Sequence, residues 1–427
     1  MGYAKNGMQR KKGYKRRQPM PSLHFAPAAD QTSTDRRNGV ALTITRTTEH
    51  AYHNSAGTLV VAASGAFAYP HSYDGSNWTA DGFGSHLAAT NVCLQSEVTG
   101  TTWAAGNGGV TLAANAIAAP DGETTADSLK QIDNVNDHLL QTITLSANTD
   151  YTLSLYAKNI DATTSSLAIF DATGSTTEGQ IDITWTAGVP SLADGGGTTT
   201  VTSMVVTDVS DGWYRLSGTF KTDATNTSHQ YRIFPETTDT AAQGIYAWGM
   251  DLKTKTIVTP YIATTTGAVT RNRDDIQTSD VTWYRDAQGT FIWRGIISPL
   301  NGVARYLFSV NDGTTTDRNA ALIHSSDKDR CLILDGGVLQ VAAALSNVPT
   351  ADTLRRYTQA HELNNFSHVS ENQTLGADTS CTMPEDMTTF DVGQSSISAS
   401  QLIGATAEII FIKTRKSNSF LQTRSIT

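Results

Sequence analysis

The sequence is short of cysteine and of charged residues, and it has no long apolar run. Its three cysteines, Cys93, Cys331 and Cys381, lack C-x-x-C spacing, so we expect buried thiols rather than a disulfide framework, a zinc site or a redox motif. Charged residues make up 17% of the chain, which excludes a coiled coil or a charged disordered protein. No apolar stretch approaches the ~20 residues of a membrane span, and no apolar segment follows the basic N-terminus as in a signal peptide. We therefore expect a soluble protein that makes no membrane contact and is not exported by the Sec route.

Threonine and glycine are the residues in excess. The chain has 427 residues, of which 63 are Thr and 34 are Gly, and 39% are hydrophobic. Threonine suits a pleated strand and glycine suits turns, so the composition predicts an all-β protein with many short strands. Because single cores stop growing near ~250–300 residues, this length predicts more than one domain.

Basic residues are concentrated at the N-terminus of an otherwise acidic chain. The whole chain carries −9 and the first 20 residues carry +7, so the remainder has a net charge of −16. A basic arm of this kind is typical of an interaction tail, and docking onto an acidic protein surface is preferred here over a solvated tail or contact with nucleic acid phosphates. The body of an adjacent copy offers such a surface, so we expect a homo-oligomer. The residues predicted to anchor the arm are Lys5, Arg10, Lys11, Lys12, Lys15, Arg16 and Arg17.

Alternating apolar and polar residues divide the chain into blocks of short strands. Residues 1–38 are predicted to form an extended arm and a Pro/Ala-rich linker, and residues 39–90 a β-hairpin connector. Residues 91–271 and 276–427 each contain several short strands separated by turn signals, which predicts two β-sandwiches in tandem.

Local turn chemistry is clearest in the last block. Asp335, Gly336 and Gly337 separate two apolar strands, which predicts a β-hairpin. The stretch Leu354–Leu363 is compatible with a short helix or a loop, and residues 70–86 have the composition of a loop.

No catalytic constellation is specific enough to predict an enzyme. Nucleophile-elbow, zinc-protease and phosphate-loop motifs are missing, and the ten histidines have no metal-ligand spacing. Asp74, Asn77 and Asp81 share one Gly-rich loop, so calcium ligation is an alternative, although their spacing fits no EF-hand. We expect no enzymatic activity, no cofactor and no metal.

The tryptophans separate into two groups. Trp213 and Trp248 lie in alternating strand sequence and are predicted to be core residues of the first sandwich. Trp78 and Trp103 lie in loop-like sequence, where an aromatic ring either covers a sandwich edge or stacks on the apolar face of a sugar. They are the candidate glycan-binding residues.

Several stretches of the first half resemble a widespread group of bacteriophage virion structural proteins. The opening is T45-R-T-T-E-H-A-Y-H-N-S-A-G-T-L-V-V-A-A63, followed by N91-V-C-L-Q-S-E97. The match continues through a carbohydrate-binding-module-like jelly roll to its exit strand, in the expected order along residues 40–271. The C-terminal block resembles a concanavalin A-like or laminin G-like sandwich, on residues 308–313 and 404–412. The stretches of the jelly roll that carry the match are residues 119–127, 145–157, 211–217, 244–252 and 260–271.

This resemblance implies a virion structural protein of a head- or tail-attached fibre or decoration type. Its arm is then expected to bind other virion proteins (capsid, portal or tail), and its two sandwiches to project from the particle. One alternative is a glycan-binding adhesin that recognises host surface polysaccharide during host attachment, because a fold of this kind does not fix its function. A further, less favoured alternative is a glycan-cleaving enzyme, which requires paired carboxylates on a concave face.

Overall fold

The computed structural model describes residues 21–97, 101–238, 242–298, 302–345, 348, 350–371, 373–395 and 400–426. The seven basic residues predicted to anchor the arm lie outside these ranges. Within them the chain is built from short antiparallel strands arranged as two β-sandwiches, which confirms the predicted fold class. In the described ranges, no helix is long and apolar enough to cross a membrane.

The chain begins with short strands and one short helix, which precede the first sandwich. They are β1 (Leu23–Phe25), α1 (Pro27–Asp30), β2 (Thr43–Thr45), β3 (His50–His53), β4 (Leu59–Ala62), β5 (His71–Tyr73), β6 (Trp78–Ala80) and β7 (Phe83–Ser85). Strands β3 and β4 pair as one hairpin and β5 and β6 as another. The hairpin β3–β4 lies within residues 39–90, for which a β-hairpin connector was predicted, whereas residues 70–86, predicted as a loop, contain β5, β6 and β7.

The first sandwich follows. Its strands are β8 (Ala89–Asn91), β9 (Ala104–Gly106), β10 (Val110–Ile117), β11 (Ala126–Gln131), β12 (His138–Thr144), β13 (Asp150–Asn159), β14 (Thr164–Asp171), β15 (Thr176–Thr186), β16 (Val189–Gly196), β17 (Thr202–Asp208), β18 (Tyr214–Lys221), β19 (Ser228–Phe234), β20 (Gly244–Lys253) and β21 (Val269–Arg271). One sheet has the order β10-β11-β20-β13-β18-β17, with β8 pairing β20 and β21. The facing sheet has the order β16-β15-β14-β19-β12-β9.

Side chains alternate between the two faces of β20, and both faces are buried. Ile245 and Ala247 lie in the core between the two sheets, whereas Tyr246 and Trp248 lie on the outer face. On that outer face Trp248 and Trp213 pack with Leu59 of the β3–β4 hairpin. The two tryptophans are buried as predicted, but they attach the connector to the outside of the first sandwich rather than filling its central core.

The second sandwich uses the rest of the chain. Its elements are β22 (Asp275–Thr278), β23 (Gln288–Ile297), β24 (Arg305–Asn311), β25 (Arg318–Ile323), β26 (Asp329–Asp335), β27 (Val338–Val341), β28 (Leu354–Glu362), β29 (Phe366–Ser370), β30 (Gly376–Asp378), β31 (Thr389–Val392), β32 (Gly404–Ile412) and α2 (Asn418–Ile426). Its two sheets have the orders β1-β32-β23-β28-β29-β30, with β7 pairing β32, and β2-β22-β31-β24-β25-β26-β27.

Strands from the beginning of the chain therefore complete the second sandwich. Leu23 and Phe25 of β1 and Phe83 of β7 are fully buried in the core between its sheets, together with Ile44 of β2. Residues 1–38 were predicted to be an arm and linker, but within them the backbone of Leu23–Phe25 pairs with β32, and Leu23 and Phe25 lie in this core. The chain enters the second sandwich, leaves it to build the first and returns. Independent folding of the two sandwiches stays a prediction.

Local predictions for the second sandwich can now be compared with the structure. Asp335 pairs with Val338 across a two-residue turn, which confirms the hairpin β26–β27. The stretch 354–363 is neither helix nor loop, because β28 is held between β23 and β29 by backbone pairing on both sides. Helix α2, which no sequence signal indicated, covers this region with the buried side chain of Leu421. All three cysteines are buried and unpaired, as expected for thiols that pack as small apolar groups.

Candidate functional site

A cleft lies where the two sandwiches and the connector meet, and we call it the junction cleft. Its volume is about 440 Å³. One wall is β17 at the edge of the first sandwich, another is the β5–β6 hairpin, and the ends of β23 and β32 form the third. Its lining residues are His53, Pro70, His71, Ser72, Tyr73, Trp78, Asp81, His86, 205–209, Val258, Ile296, Ser298, Asp352, Gly404 and Ala405.

Trp78 is the predicted candidate that the structure places in this cleft. Its ring stacks on His53 with the centroids 5.3 Å apart and 24° between the planes, and Tyr73 lies 5.3 Å away on a tilted ring. Gly57 permits this position, because a Cβ there would lie 2.5 Å from Trp78 Nε1. Trp78 is held by these neighbours yet stays partly exposed, so part of its surface is open to a ligand.

Trp103, the second candidate, is not part of the cleft. It is 7% exposed, and its ring meets Tyr231 edge-on at 5.8 Å in the core of the first sandwich. Its Nε1 donates a hydrogen bond to the backbone oxygen of Gln95 at 3.3 Å. The loop before β9 folds this ring inward over the sandwich edge, so the ring has no free face for stacking on a sugar.

Carboxylates provide the charged groups of the junction cleft. Burial raises the pKa of Asp81 to about 6, although the Ser72 hydroxyl donates to its Oδ2 at 2.7 Å and opposes that rise. Partial burial also raises the pKa of Asp352, against the effects of Ser298 and Arg305. Asp208 is the third acidic residue, and no lysine or arginine occurs among the described lining residues. Above the pKa of Asp81, the charged groups of the lining are therefore all carboxylates, and Arg305 acts on Asp352 from outside the lining.

Two histidines of the lining have buried ring nitrogens without hydrogen-bond partners in the described structure. The Nδ1 of His53 lies 2.9 Å from the Gly57 carbonyl oxygen, which can only accept, so Nδ1 carries the proton and Nε2 is a free acceptor. Burial lowers the pKa of His53 to about 4, which keeps this ring neutral at pH 7. Nδ1 of His86 is likewise unpartnered, and burial lowers the pKa of His86. Both nitrogens are buried, and each would gain a hydrogen bond if a hydroxyl or amide group reached it.

A buried cluster of charges fixes the junction beneath the cleft. Asp274 accepts hydrogen bonds from Arg46 of the second sandwich and, at 3.2 Å, from Arg271 at the end of β21. The backbone N–H of His86 also donates to it at 2.9 Å, and His50 lies 3.4 Å away. Burial alone would raise the pKa of Asp274, but the neighbouring His50 and Arg271 side chains outweigh it and hold that pKa well below its usual range. Burial also lowers the pKa of His50, so the arginines are the charged partners at pH 7. Because both sandwiches contribute to this cluster, it fixes the walls of the cleft.

The loop considered for calcium has other structural roles. Asp74 Oδ1 accepts the backbone N–H groups of Ser76 and Asn77 at 2.9 and 2.7 Å, which closes a tight turn. Asp81 faces Ser72 instead. Among the described residues, no group of three or more His, Cys, Asp or Glu side chains is arranged to hold a metal ion. These three residues therefore do not converge on one point.

The stretch N91-V-C-L-Q-S-E97 has a structural role that accounts for its distinctive residues. The buried Asn91 side chain donates to the carbonyl oxygens of Met250 and Ile262 at 3.2 and 2.8 Å, and accepts from the N–H groups of Cys93 and Leu252. These hydrogen bonds join β20 to the segment around Ile262, through which the chain leaves the first sandwich. Asn91 therefore carries information about the fold rather than about a ligand.

Comparison with known proteins adds little to this description. No family model and no curated protein match the chain. Similar solved structures include the NanB sialidase from Streptococcus pneumoniae, with 9% identity, a TM-score of 0.29 and coverage of 34% of this chain and 26% of the other. Domains LG4-5 of the mouse laminin alpha1 chain have 7% identity and a TM-score of 0.23, with coverage of 68% and 94%. The chain thus spans about a quarter of the sialidase chain, and scores this low support no functional argument.

Proposed function

We propose that this chain is a virion structural protein of the bacteriophage type whose junction cleft binds a glycan. The glycan-binding part rests on one observation: the cleft combines a partly exposed Trp78 with carboxylates and two unpartnered histidine nitrogens. The virion part rests on the sequence resemblance of residues 40–271 and on the basic arm.

The chemistry of the cleft suits a sugar. The C–H face of a pyranose packs on an aromatic ring, which removes apolar area from water, while its hydroxyl groups need fixed polar partners. Trp78 and Tyr73 provide the rings. Asp81 and the Nε2 of His53 provide acceptors for hydroxyl protons, and Val206 extends the apolar wall. A buried acceptor without a partner gains a hydrogen bond when a hydroxyl group reaches it.

The charge of the cleft favours neutral glycans over acidic ones. Asp81, Asp208 and Asp352 line it without a neighbouring lysine or arginine in the described lining. A sialic acid or uronic acid carboxylate would meet like charges at close range, which costs affinity. The proposed ligand is therefore a neutral host-surface polysaccharide.

A glycan array followed by titration calorimetry tests this proposal. We expect binding to neutral polysaccharides, at least tenfold weaker binding for Trp78→Ala and near-normal binding for Trp78→Phe, which keeps a ring. Leu363→Ala is the matched control, because Leu363 is 60% exposed and lies outside the junction cleft. An array without any neutral glycan, or equal affinity for Trp78→Ala and the unaltered chain, would overturn glycan binding at this cleft.

The proposed activity is binding without cleavage. Hydrolysis of a glycosidic bond requires one acid to protonate the leaving oxygen and a second carboxylate on the opposite side of the sugar. A depolymerisation assay on the polysaccharides found by the array separates the two functions. Release of reducing ends that is lost in Asp81→Asn would replace the binding proposal with an enzymatic one.

Particle assembly tests the virion part. Deletion of residues 1–20 removes the +7 segment, and we expect the truncated chain to be excluded from particles while both sandwiches keep their circular dichroism spectra. High salt should weaken incorporation of the full chain, since the Debye length falls from ~10 Å at 0.1 M to ~3 Å at 1 M. Normal copy number of the truncated chain would show that the arm is a solvated tail.

A further inference from the structure

A second, smaller pocket lies on the connector side of the first sandwich, and we call it the rim pocket. Its volume is about 290 Å³, and its lining is more apolar than polar. Leu59 and Val61 of β4 form one apolar wall, and Ile262 of the exit segment forms the other. Val61 is 55% exposed, so the pocket opens to solvent along this wall. It shares no lining residue with the junction cleft.

Three carboxylates line the rim pocket: Glu49 is exposed, whereas Glu97 and Asp121 stand together and are held by the protein. The Tyr261 hydroxyl donates to Glu97 Oε1 at 3.0 Å, and it lies 2.8 Å from the Ser96 hydroxyl. Asp121 Oδ1 accepts the Glu123 N–H at 3.0 Å, which fixes its orientation. Burial raises the pKa of Glu97, and the nearby charge of Asp121 adds to that rise. The two carboxyl groups are therefore close enough to interact, and both are held by the protein.

The lining of the rim pocket also includes a buried hydrogen-bond donor that has no acceptor in the described structure. Arg271 lines it, and its side chain is 1% exposed. Its Nη groups are engaged by Asp274 and by the backbone oxygens of Leu87 and Asn272. Its Nε has no hydrogen-bond partner in the described part of the chain. A buried N–H group is seldom left without a hydrogen-bond acceptor, so an acceptor atom supplied by a ligand would satisfy this donor.

From these groups we propose that the rim pocket binds a single pyranose ring, either as a free sugar or at the end of a glycan. Hydroxyl groups on one edge of the sugar donate to Glu97 and Asp121, and an oxygen on another edge accepts from Arg271 Nε. The C–H face of the ring packs on Leu59 and Ile262. The three carboxylates alone would attract an organic cation, but the Arg271 guanidinium disfavours one and donates only to an acceptor, so the cation is tested beside the sugars.

This inference is independent of the junction cleft, because the two sites have different lining residues. The first variant pair is Asp121→Asn and Glu97→Gln, which keep the shape of each side chain and remove its charge. A second variant, Val61→Trp, fills the open side of the pocket without disturbing a buried group, since Val61 is 55% exposed. Trp78→Ala serves as the control for the junction cleft, and because Trp78 also packs against the cluster that contains Leu59, the Leu59 methyl signal of this variant is referenced to its own sugar-free spectrum.

Methyl NMR on the full chain provides the test. The methyl signals of Leu59, Val61 and Ile262 are followed during titration with neutral hexoses, their methyl glycosides, a short oligosaccharide and n-butylammonium. We expect saturable shifts with the sugars, at least tenfold weaker binding in the Asp121→Asn and Val61→Trp variants, and unchanged binding in Trp78→Ala. Comparison of the free hexose, its methyl glycoside and the oligosaccharide separates a free-sugar site from a chain-end site.

Three results would overturn the proposal. Shifts with n-butylammonium and none with the sugars would make the rim pocket a cation site. No shift with any probe at 100-fold the protein concentration and above would make it a structural gap. Loss of sugar binding in Trp78→Ala, with binding retained in Val61→Trp, would assign all sugar binding to the junction cleft. The rim-pocket proposal would then be wrong, whereas the proposed function would still hold.

Discussion

At the junction of the two sandwiches, the stability effect of a substitution depends on whether the buried ionisable side chain that it removes has charged or hydrogen-bonding partners. Asp274 is ionised and surrounded by donors, whereas Asp81 is buried with one hydroxyl donor from Ser72. Removal of one partner from a buried ion pair typically costs ~3–5 kcal/mol, because the remaining charge is left unpaired. The ionisation of an isolated buried carboxyl group costs free energy. Removal of its charge is therefore expected to stabilise the protein rather than destabilise it.

We expect Asp81→Asn to stabilise the protein at alkaline pH and to have no effect at acidic pH. The pKa of Asp81 is raised to about 6 in the folded chain, so the folded state binds a proton there more tightly than the unfolded state does. The stability that this proton provides is complete below the unfolded pKa near ~3.9 and is lost as the pH rises through about 6. Asparagine imitates the protonated form, so thermal denaturation at pH 8 should show a higher melting temperature for the variant.

At pH 4 the two melting curves should coincide. The gain at pH 8 has an upper limit of ~3 kcal/mol for a shift of this size. A lower melting temperature of Asp81→Asn at pH 8 would show that the Asp81 carboxylate is stabilised by a partner other than Ser72.

Trp103→Ala should destabilise the first sandwich by ~3–5 kcal/mol, because it removes a large ring from a packed core. Chemical denaturation of Trp103→Ala and of Trp78→Ala makes the comparison, with Trp103→Phe as the conservative control. Trp78 is partly exposed in the junction cleft, so its truncation should cost much less. Equal losses for both residues would place Trp78 in a core as well.

Whether a given side chain is buried cannot always be predicted from the neighbouring sequence. Trp78 and Trp103 both occur in loop-like sequence, and nothing local distinguishes them, because their burial depends on which loop folds over a sandwich edge. His53 and Asp352 were missed as cleft residues, since they come from opposite ends of the chain. No short-range signal brings them together.

At the scale of single elements, turn chemistry was the most informative signal. The hairpin β26–β27 could be predicted because a type I′ turn requires positive φ at both central positions, and Gly336 and Gly337 have φ values of 56° and 76°. The strand β28 could not be predicted, because it is stabilised by pairing with β23 and β29, which lie far away in sequence. Strands β1, β2 and β7 were missed as parts of the second sandwich for the same reason.

Replacement of Gly336 tests the turn. Nothing lies within 4 Å of a Cβ added there, so a substitution is limited by backbone conformation alone. We expect Gly336→Val to cost ~1–2 kcal/mol and Gly336→Asn much less, because asparagine tolerates positive φ. Chemical denaturation gives the two values, and hydrogen exchange of the β26 and β27 amides localises the loss. Equal cost for both variants would exclude backbone strain as the cause.

At the scale of the whole molecule, the N-terminal strands decide which truncations fold. Deletion of residues 1–20 leaves every strand of the described ranges intact, whereas deletion of residues 1–38 removes β1 and its pairing with β32. The second deletion also takes Leu23 and Phe25 out of the core of the second sandwich. We expect the shorter chain to be less stable in that sandwich by several kcal/mol. Truncation of one large buried apolar side chain typically lowers the free energy of unfolding by ~2–5 kcal/mol.

Calorimetry of the two truncated chains makes the comparison. The chain lacking residues 1–20 should unfold at the same temperature as the full chain, and the chain lacking residues 1–38 should show a lowered transition. The Asn91 and Trp248 contacts lie within the first sandwich and its connector, so the transition of that part should stay in place. Identical melting of both truncated chains would mean that β1 contributes nothing to the second sandwich.

The strands β8 and β21 lie side by side where the chain enters and leaves the first sandwich, with Ala89 opposite Arg271 and Asn91 opposite Val269. Cross-strand partners of this kind have Cα atoms only ~4.5–5.5 Å apart. The 183 positions from 89 to 271 therefore form an exchangeable cassette, whose two ends meet at one point on a frame built by the rest of the chain. Recombination that replaced this cassette would need to preserve that spacing, the packing of Trp213 and Trp248 on Leu59 and the Arg271–Asp274 pair, and a module that met these requirements could be exchanged on the same frame.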